Sequence, residues 1–191
     1  MRMQMGIDAP NFGPLTDAML LDDGGTVATL VPTTTQPRVE PEVALRFGND
    51  VEPGADREGV LAAVASAHAC LEIVDSVWSD YRFRIEDNTA DGSSAAGVVV
   101  GPSISLDAIA EVEVRLFVDG DAVGMGRGED AGGHPADGVV WLVGQLAARG
   151  ERVRAGDVVI TGGLTAAVAL DVGIMVHATF EVVPPVVPVR V

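Results

Sequence analysis

The sequence contains no lysine: all 12 basic residues of the 191-residue chain are arginine. That absence excludes a lysine Schiff base, a lysine general base and a phosphate-loop lysine, whatever the fold. Cysteine is nearly absent as well. Cys70 stands alone, so no intrachain disulfide can form and thiolate-rich zinc sites are excluded. Aromatic residues make up only 4%, too few for a base-stacking platform or an aromatic carbohydrate cleft. Positive charge is scarce, with 28 acidic residues against the 12 arginines and a net charge of -16. Such a balance argues against binding a phosphate backbone, while a polyanionic surface can attract divalent cations locally. No apolar run approaches the roughly 18 residues that a membrane helix needs. Met1 to Pro10 has no continuous apolar stretch to act as a signal peptide, so the expected location is the cytoplasm.

Hydrophobic residues reach 48%, enough for a sizeable core in one domain of 19.7 kDa. Val39 to Phe47 reads as a strand, with Pro41 suggesting an edge or a strand start. Residues 57–70 read as a helix capped by Asp56, with Val60, Leu61, Val64, Ala65 and His68 on one side. Leu71 to Val74 and residues 98–101 read as short strands. Glu111 to Val118 alternates cleanly, and Asp119-Gly120-Asp121 predicts a hairpin turn. Residues 136–149 read as a second helix closed by Gly150, followed by strands over Val158 to Thr161 and Ile174 to Val183. Residues 1–37 look irregular, with a turn at Asp22-Asp23-Gly24-Gly25. The class is α+β: a mixed, curled β-sheet with two or three helices.

Glu40 and Glu42 stand two apart in a strand and so point to one face. The pair is either a solvent-facing polar stripe or two carboxylates whose repulsion something offsets. Glu72 bears on the choice, because it lies in the apolar run Leu71-Glu72-Ile73-Val74. An unpaired carboxylate buried there costs several kcal/mol, so it calls for an arginine, a proton or a metal. Three converging carboxylates would make a hard, oxygen-only site suited to Mg2+ or Mn2+. Asp75 either orients a ligand or caps a turn. The small polar loop Asn88 to Gly97 either lets backbone approach an anion or simply connects two elements. His134 is placed for acid–base work or for a structural contact at a helix start, and His68 reads as a core histidine.

Three segments together resemble the fumarylacetoacetate hydrolase superfamily. They are Pro37-Arg38-Val39-Glu40-Pro41-Glu42-Val43-Ala44-Leu45, Cys70-Leu71-Glu72-Ile73-Val74-Asp75-Ser76 and Thr89-Ala90-Asp91-Gly92-Ser93-Ser94. Gly133-His134-Pro135 and Gly162-Gly163-Leu164-Thr165-Ala166-Ala167 extend the likeness, which runs from about Met5 to about Val183. Within the superfamily the pattern is most similar to the 2-keto-4-pentenoate hydratases and 4-oxalocrotonate decarboxylases. The resemblance implies a single catalytic domain over residues 1–191, with the family's N-terminal region and its lysine missing from this sequence. It implies Mg2+ or Mn2+ on Glu40, Glu42 and Glu72, and a small 2-keto acid that chelates the metal. It makes Asp75, Asp91 and His134 candidates for catalytic work and Ser94 and Thr165 candidates for substrate contact. Hydratases of the branch often carry an acid at the position of Asn11. The implied function is a metal-dependent lyase of aromatic catabolism, hydratase first and decarboxylase second. A diketo-acid (acylpyruvate) hydrolase and a non-catalytic or partner-dependent member are the other expectations. A homo-oligomer is expected, with neither nucleic acid nor membrane as partner.

Overall fold

The computed structural model describes residues 9–22 and 33–182. Three helices and nine strands order this part of the chain. In sequence they run β1 (Leu20–Leu21), β2 (Arg38–Phe47), α1 (Arg57–Ala63), β3 (Val64–Val74), α2 (Ile85–Ala90), β4 (Ala95–Ile104), β5 (Val112–Val118), β6 (Asp121–Arg127), α3 (Pro135–Ala147), β7 (Val158–Ile160), β8 (Val168–Ala169) and β9 (Val176–Val182). The larger sheet has the order β1-β4-β3-β2-β7, with β8 also paired to β2. It is mixed: β1 runs parallel to β4 and the other pairs are antiparallel. The smaller sheet has the order β6-β5-β9. No helix among the described residues is long and apolar enough to cross a membrane.

The main core forms where one face of β2 meets the smaller sheet and two helices. Val43, Leu45 and Phe47 of β2 pack with Val60 of α1, Val112 and Val114 of β5, and Val139 and Val143 of α3. Leu45 is fully buried there. Leu45→Ala is therefore expected to cost about 2–5 kcal/mol, read as a lowered urea midpoint with the slope unchanged. The hairpin turn lies where expected. Asp119 (φ 50°) and Gly120 (φ 89°) supply the two left-handed residues that its tight reversal needs.

Two elements differ from expectation. The helix expected over residues 57–70 stops at Ala63, and Val64 to Val74 is one long strand that carries His68 and Cys70. The N-cap is as expected, since the Asp56 side chain accepts the Gly59 N–H. Beyond Ala63 the alanines favour a helix, but Val64, Ser66, His68 and Cys70 alternate with them and do not, and pairing with β2 on one side and β4 on the other decides for strand. Pro41 does not mark an edge, because β2 is central. It falls in the gap between the stretches paired with β8 and β7. There only its carbonyl is used, accepting the Leu164 N–H at 2.9 Å, so a missing N–H costs nothing. The turn expected at residues 22–25 falls mostly outside the described residues. The two-residue strand β1 is too short to show in a periodic pattern.

Candidate active site

The second face of β2 carries the chemistry. Glu40 and Glu42 share it by strand alternation, and the β2–β3 register sets Glu72 directly opposite Glu40. One carboxylate oxygen from each of the three glutamates lies within 4.8 Å of the others, a group that could hold a metal ion. Glu40 and Glu42 are 0% and 1% exposed, and Glu72 is half-buried. The turn after β7 closes over the pair. Gly162, at φ 100°, donates its N–H to Glu42 Oε2 at 2.8 Å. Gly163 rests directly on Glu40, and a Cβ built there would collide with the carboxylate. Both oxygens of Glu40 are buried without a hydrogen-bond partner. The ion pairs among the described residues leave all three glutamates out.

The electrostatics follow from that packing. Burial, then the charge on Glu42, holds the Glu40 carboxyl well above the ordinary range. Burial and the charges of Glu42 and Glu40 do the same to Glu72. Glu42 is pushed up by burial and drawn back by the Gly162 N–H and a hydrogen bond with Glu72, ending at about 7. Three carboxylates this close cannot all ionise unaided. Protons offset the charge, or a cation does. An all-oxygen set with an orphaned, fully buried carboxylate fits a hard divalent cation.

The glutamates stand in the wall of a cleft of about 1450 Å³. Its other walls include Asn11, Phe12, Asn88, Ser93, Trp141 and the Thr161-Gly162-Gly163 turn. Asn11 is fixed on three sides. Its Nδ2 donates to Asn88 Oδ1 (2.8 Å), and its Oδ1 accepts the Thr89 hydroxyl (2.8 Å) and the Phe12 N–H (2.9 Å). Asn88 in turn donates to Ser94 Oγ at 2.7 Å. Asn88→Ala is expected to cost about 1–3 kcal/mol by stranding buried Ser94 on one side and half-buried Asn11 on the other, with metal affinity unchanged. Thermal unfolding and a metal titration read the two separately.

The other sequence candidates lie behind the cleft rather than in its wall. Asp75 accepts the backbone N–H groups of Thr35 and Gln36 and so holds the approach to β2. Ser94 is buried under Asn88, and its neighbour Ser93 reaches the cleft. Asp91 keeps one buried carboxylate oxygen without a partner at the end of α2. Thr165 is buried with its hydroxyl donating to the Ala166 carbonyl. His134 caps α3, its Nδ1 accepting the Ala136 N–H at 3.0 Å, and burial lowers its pKa. Trp141 carries no signal in the sequence, and Asn88 and Ser93 show there only as members of the small polar loop. Only the packing of residues 10–16 against that loop tells wall from support.

The fumarylacetoacetate hydrolase C-terminal family matches residues 7–186. The chain belongs to this family. Among its relatives, a 2-hydroxyhexa-2,4-dienoate hydratase of Comamonas testosteroni is 37% identical over 174 residues, covering 88% of this chain and 66% of the relative. A 4-oxalocrotonate decarboxylase of a Pseudomonas species is 33% identical over 179 residues, covering 93% and 69%. A solved 4-oxalocrotonate decarboxylase of Pseudomonas putida G7, complexed with magnesium and adipate, superposes with a TM-score of 0.87 at 30% identity, covering 94% of this chain and 69% of that one. The same decarboxylase was also solved with calcium and acetate. The chain spans about two thirds of the length of the curated relatives it matches. The curled mixed sheet is thus that of the fumarylacetoacetate hydrolase fold.

Proposed function

We propose that this chain is a divalent-metal-dependent lyase of small 2-keto-enoic acids, with 2-keto-4-pentenoate hydratase-like activity as the first reading. The observation that carries it is the buried cluster of Glu40, Glu42 and Glu72 in the wall of the cleft. Relatives named as hydratases and decarboxylases support the reaction class. Magnesium in a solved relative supports the choice of Mg2+, and Mn2+ has the same ligand preference.

When bound, the cation would supply Lewis-acid polarisation of the substrate's 2-keto oxygen and a counter-charge for its carboxylate. The chain's own groups set the frame. Glu40 and Glu42 are held by burial and by the Gly162–Gly163 turn, while half-buried Glu72 is the ligand nearest the cleft opening. Asn11, locked by Asn88 and Thr89, presents an amide that orients an oxygen of the substrate. Ser93 adds a hydroxyl to the same wall. Phe12 and Trp141, edge to face at 5.8 Å, supply an apolar side against which the conjugated chain can lie. Asp75, Ser94 and His134 act at one remove, by holding the segments that form the walls.

Decarboxylation of a 4-oxalocrotonate-type acid is the second reading, favoured by the 0.87 TM-score to a solved decarboxylase. One pair of assays separates the two. Loss of ultraviolet absorbance of 2-hydroxypenta-2,4-dienoate reports hydration, and carbon dioxide release from 4-oxalocrotonate reports decarboxylation. Either activity should require Mg2+ and stop with EDTA. Turnover of an acylpyruvate alone would move the chain to the hydrolases. The same reading has the protein working in the cytoplasm as a homo-oligomer, to be checked by sedimentation.

A further inference from the structure

The turn that covers the glutamates is held from two sides. On one side it is tied to β2. Thr161 donates its N–H to the Val43 carbonyl at 3.1 Å, and Leu164 donates to the Pro41 carbonyl at 2.9 Å, between Glu40 and Glu42. Gly162 and Gly163, the residues that touch the two carboxylates, lie between these ties. On the other side the turn meets β6.

β6 belongs to the smaller sheet, and among the described residues it pairs with β5 alone. It supplies no side chain to the glutamate cluster. What it supplies is a bare inner face. In the β5–β6 register Gly124 and Gly126 stand opposite Leu116 and Val114, whose side chains are buried in the core. A Cβ built on Gly126 would overlap the Leu164 carbonyl oxygen. Asp130 Oδ2 is also close, 3.2 Å from that point, but it is the free end of a side chain and can yield. The Leu164 oxygen is main chain and cannot swing aside. A Cβ at Gly124 makes a milder contact, 3.3 Å from Thr165 Cβ.

A side chain at 126 therefore displaces either β6 or the turn. β6 is the better anchored of the two. It is paired to β5 along its length, and Gly128, just past its end, sits so close to the Ile109 carbonyl that a Cβ there would overlap it as well. The turn is the part that gives, and Gly162 and Gly163 move with it.

We propose that Gly126 is a positioning residue for the metal centre. By admitting the Leu164 main chain against β6, it seats the Gly162–Leu164 turn on Glu40 and Glu42. The smaller sheet thereby sets the cation affinity of a cluster carried by the larger one. The inference rests on the metal reading of the three glutamates and extends it to a strand outside the cluster.

Calorimetric titration of Mg2+ into the wild-type, Gly126→Ala, Gly128→Ala and Gly124→Ala proteins tests it, with thermal melts beside each. Gly128→Ala is the control, because its methyl also meets main chain, at Ile109 and away from the turn. Both Gly126→Ala and Gly128→Ala should lower the melting temperature. Gly126→Ala alone should weaken Mg2+ binding, by about tenfold, the loss typical of groups that orient metal ligands. A merely structural glycine would change the melt and leave the affinity of the folded protein where it was. A folded Gly126→Ala with wild-type affinity, or an equal loss in Gly128→Ala, overturns the assignment and leaves the metal reading standing. Should Gly126→Ala not fold, Gly124→Ala carries the test: its gentler push on Thr165 should weaken Mg2+ by a smaller factor, and unchanged affinity overturns the assignment. Absence of Mg2+ binding by the wild-type protein overturns both.

Discussion

Gly163→Ala is expected to abolish tight divalent-metal binding while the protein stays folded. Gly163 has no Cβ to accommodate, and the space a Cβ would fill is taken by the Glu40 carboxylate. Glu40 is fully buried and neither of its oxygens has a hydrogen bond to keep it in place. The carboxylate is the free end of a flexible side chain, so it swings aside instead of forcing the backbone apart. The fold survives that movement. The cluster does not, because Glu40 leaves the 4.8 Å group it forms with Glu42 and Glu72. A displaced ligand of this kind is expected to cost on the order of 100-fold in metal affinity. Calorimetry with Mg2+ or Mn2+ reads the affinity, and circular dichroism confirms the fold. Unchanged affinity in a folded Gly163→Ala protein would mean that Glu40 is not a ligand.

The second large effect is a stability that depends on pH in the absence of metal and ceases to do so in its presence. Glu42 has its pKa raised to about 7 in the folded protein, and Glu40 and Glu72 are raised with it. In the unfolded chain each glutamate titrates near 4.3. A raised acid favours folding when protonated. Its contribution is therefore full below the unfolded value and is lost as pH rises through the folded one. Glu42 alone accounts for roughly 4 kcal/mol across that window. Metal-free protein should thus lose thermal stability between about pH 5 and pH 8. Saturating Mg2+ should remove most of that loss, because the cation replaces the protons and binds only the folded state. Parallel melting curves with EDTA and with Mg2+ across this range measure it. A melting temperature that is flat in EDTA would remove the electrostatic basis for the site.

The sequence disclosed the cluster better than the cleft. Glu40 and Glu42 could be placed on one face because strand alternation has a fixed period. Glu72 could be singled out because a carboxylate in an apolar run needs a partner. That Glu72 stands opposite Glu40 depends on the β2–β3 register, which no local pattern specifies. The helix expected over residues 57–70 shows the limit of periodicity. Ala65, Ala67 and Ala69 suit a helix or a strand, and only the two flanking strands decide. The cleft walls were less legible because they come from distant segments. Asn11 meets Asn88 across 77 residues, and Gly162 meets Glu42 across 120. Ser93 and Ser94 are chemically alike in sequence. Consecutive left-handed conformations, φ 63° and 60°, place one in the cleft wall and the other under Asn88.

Titration of Mg2+ and oxalate into the wild-type and Glu72→Ala proteins bears most directly on the metal centre. Oxalate reproduces the paired oxygens of a 2-keto acid head and contributes no chemistry of its own. Glu72 lies at the half-buried, cleft-facing side of the cluster, so its loss removes a ligand without opening the core. Oxalate should bind the wild-type protein only when Mg2+ is present, and that binding should vanish in Glu72→Ala. Metal-independent oxalate binding, or Mg2+ affinity equal in the two proteins, would contradict a metal centre built on Glu40, Glu42 and Glu72.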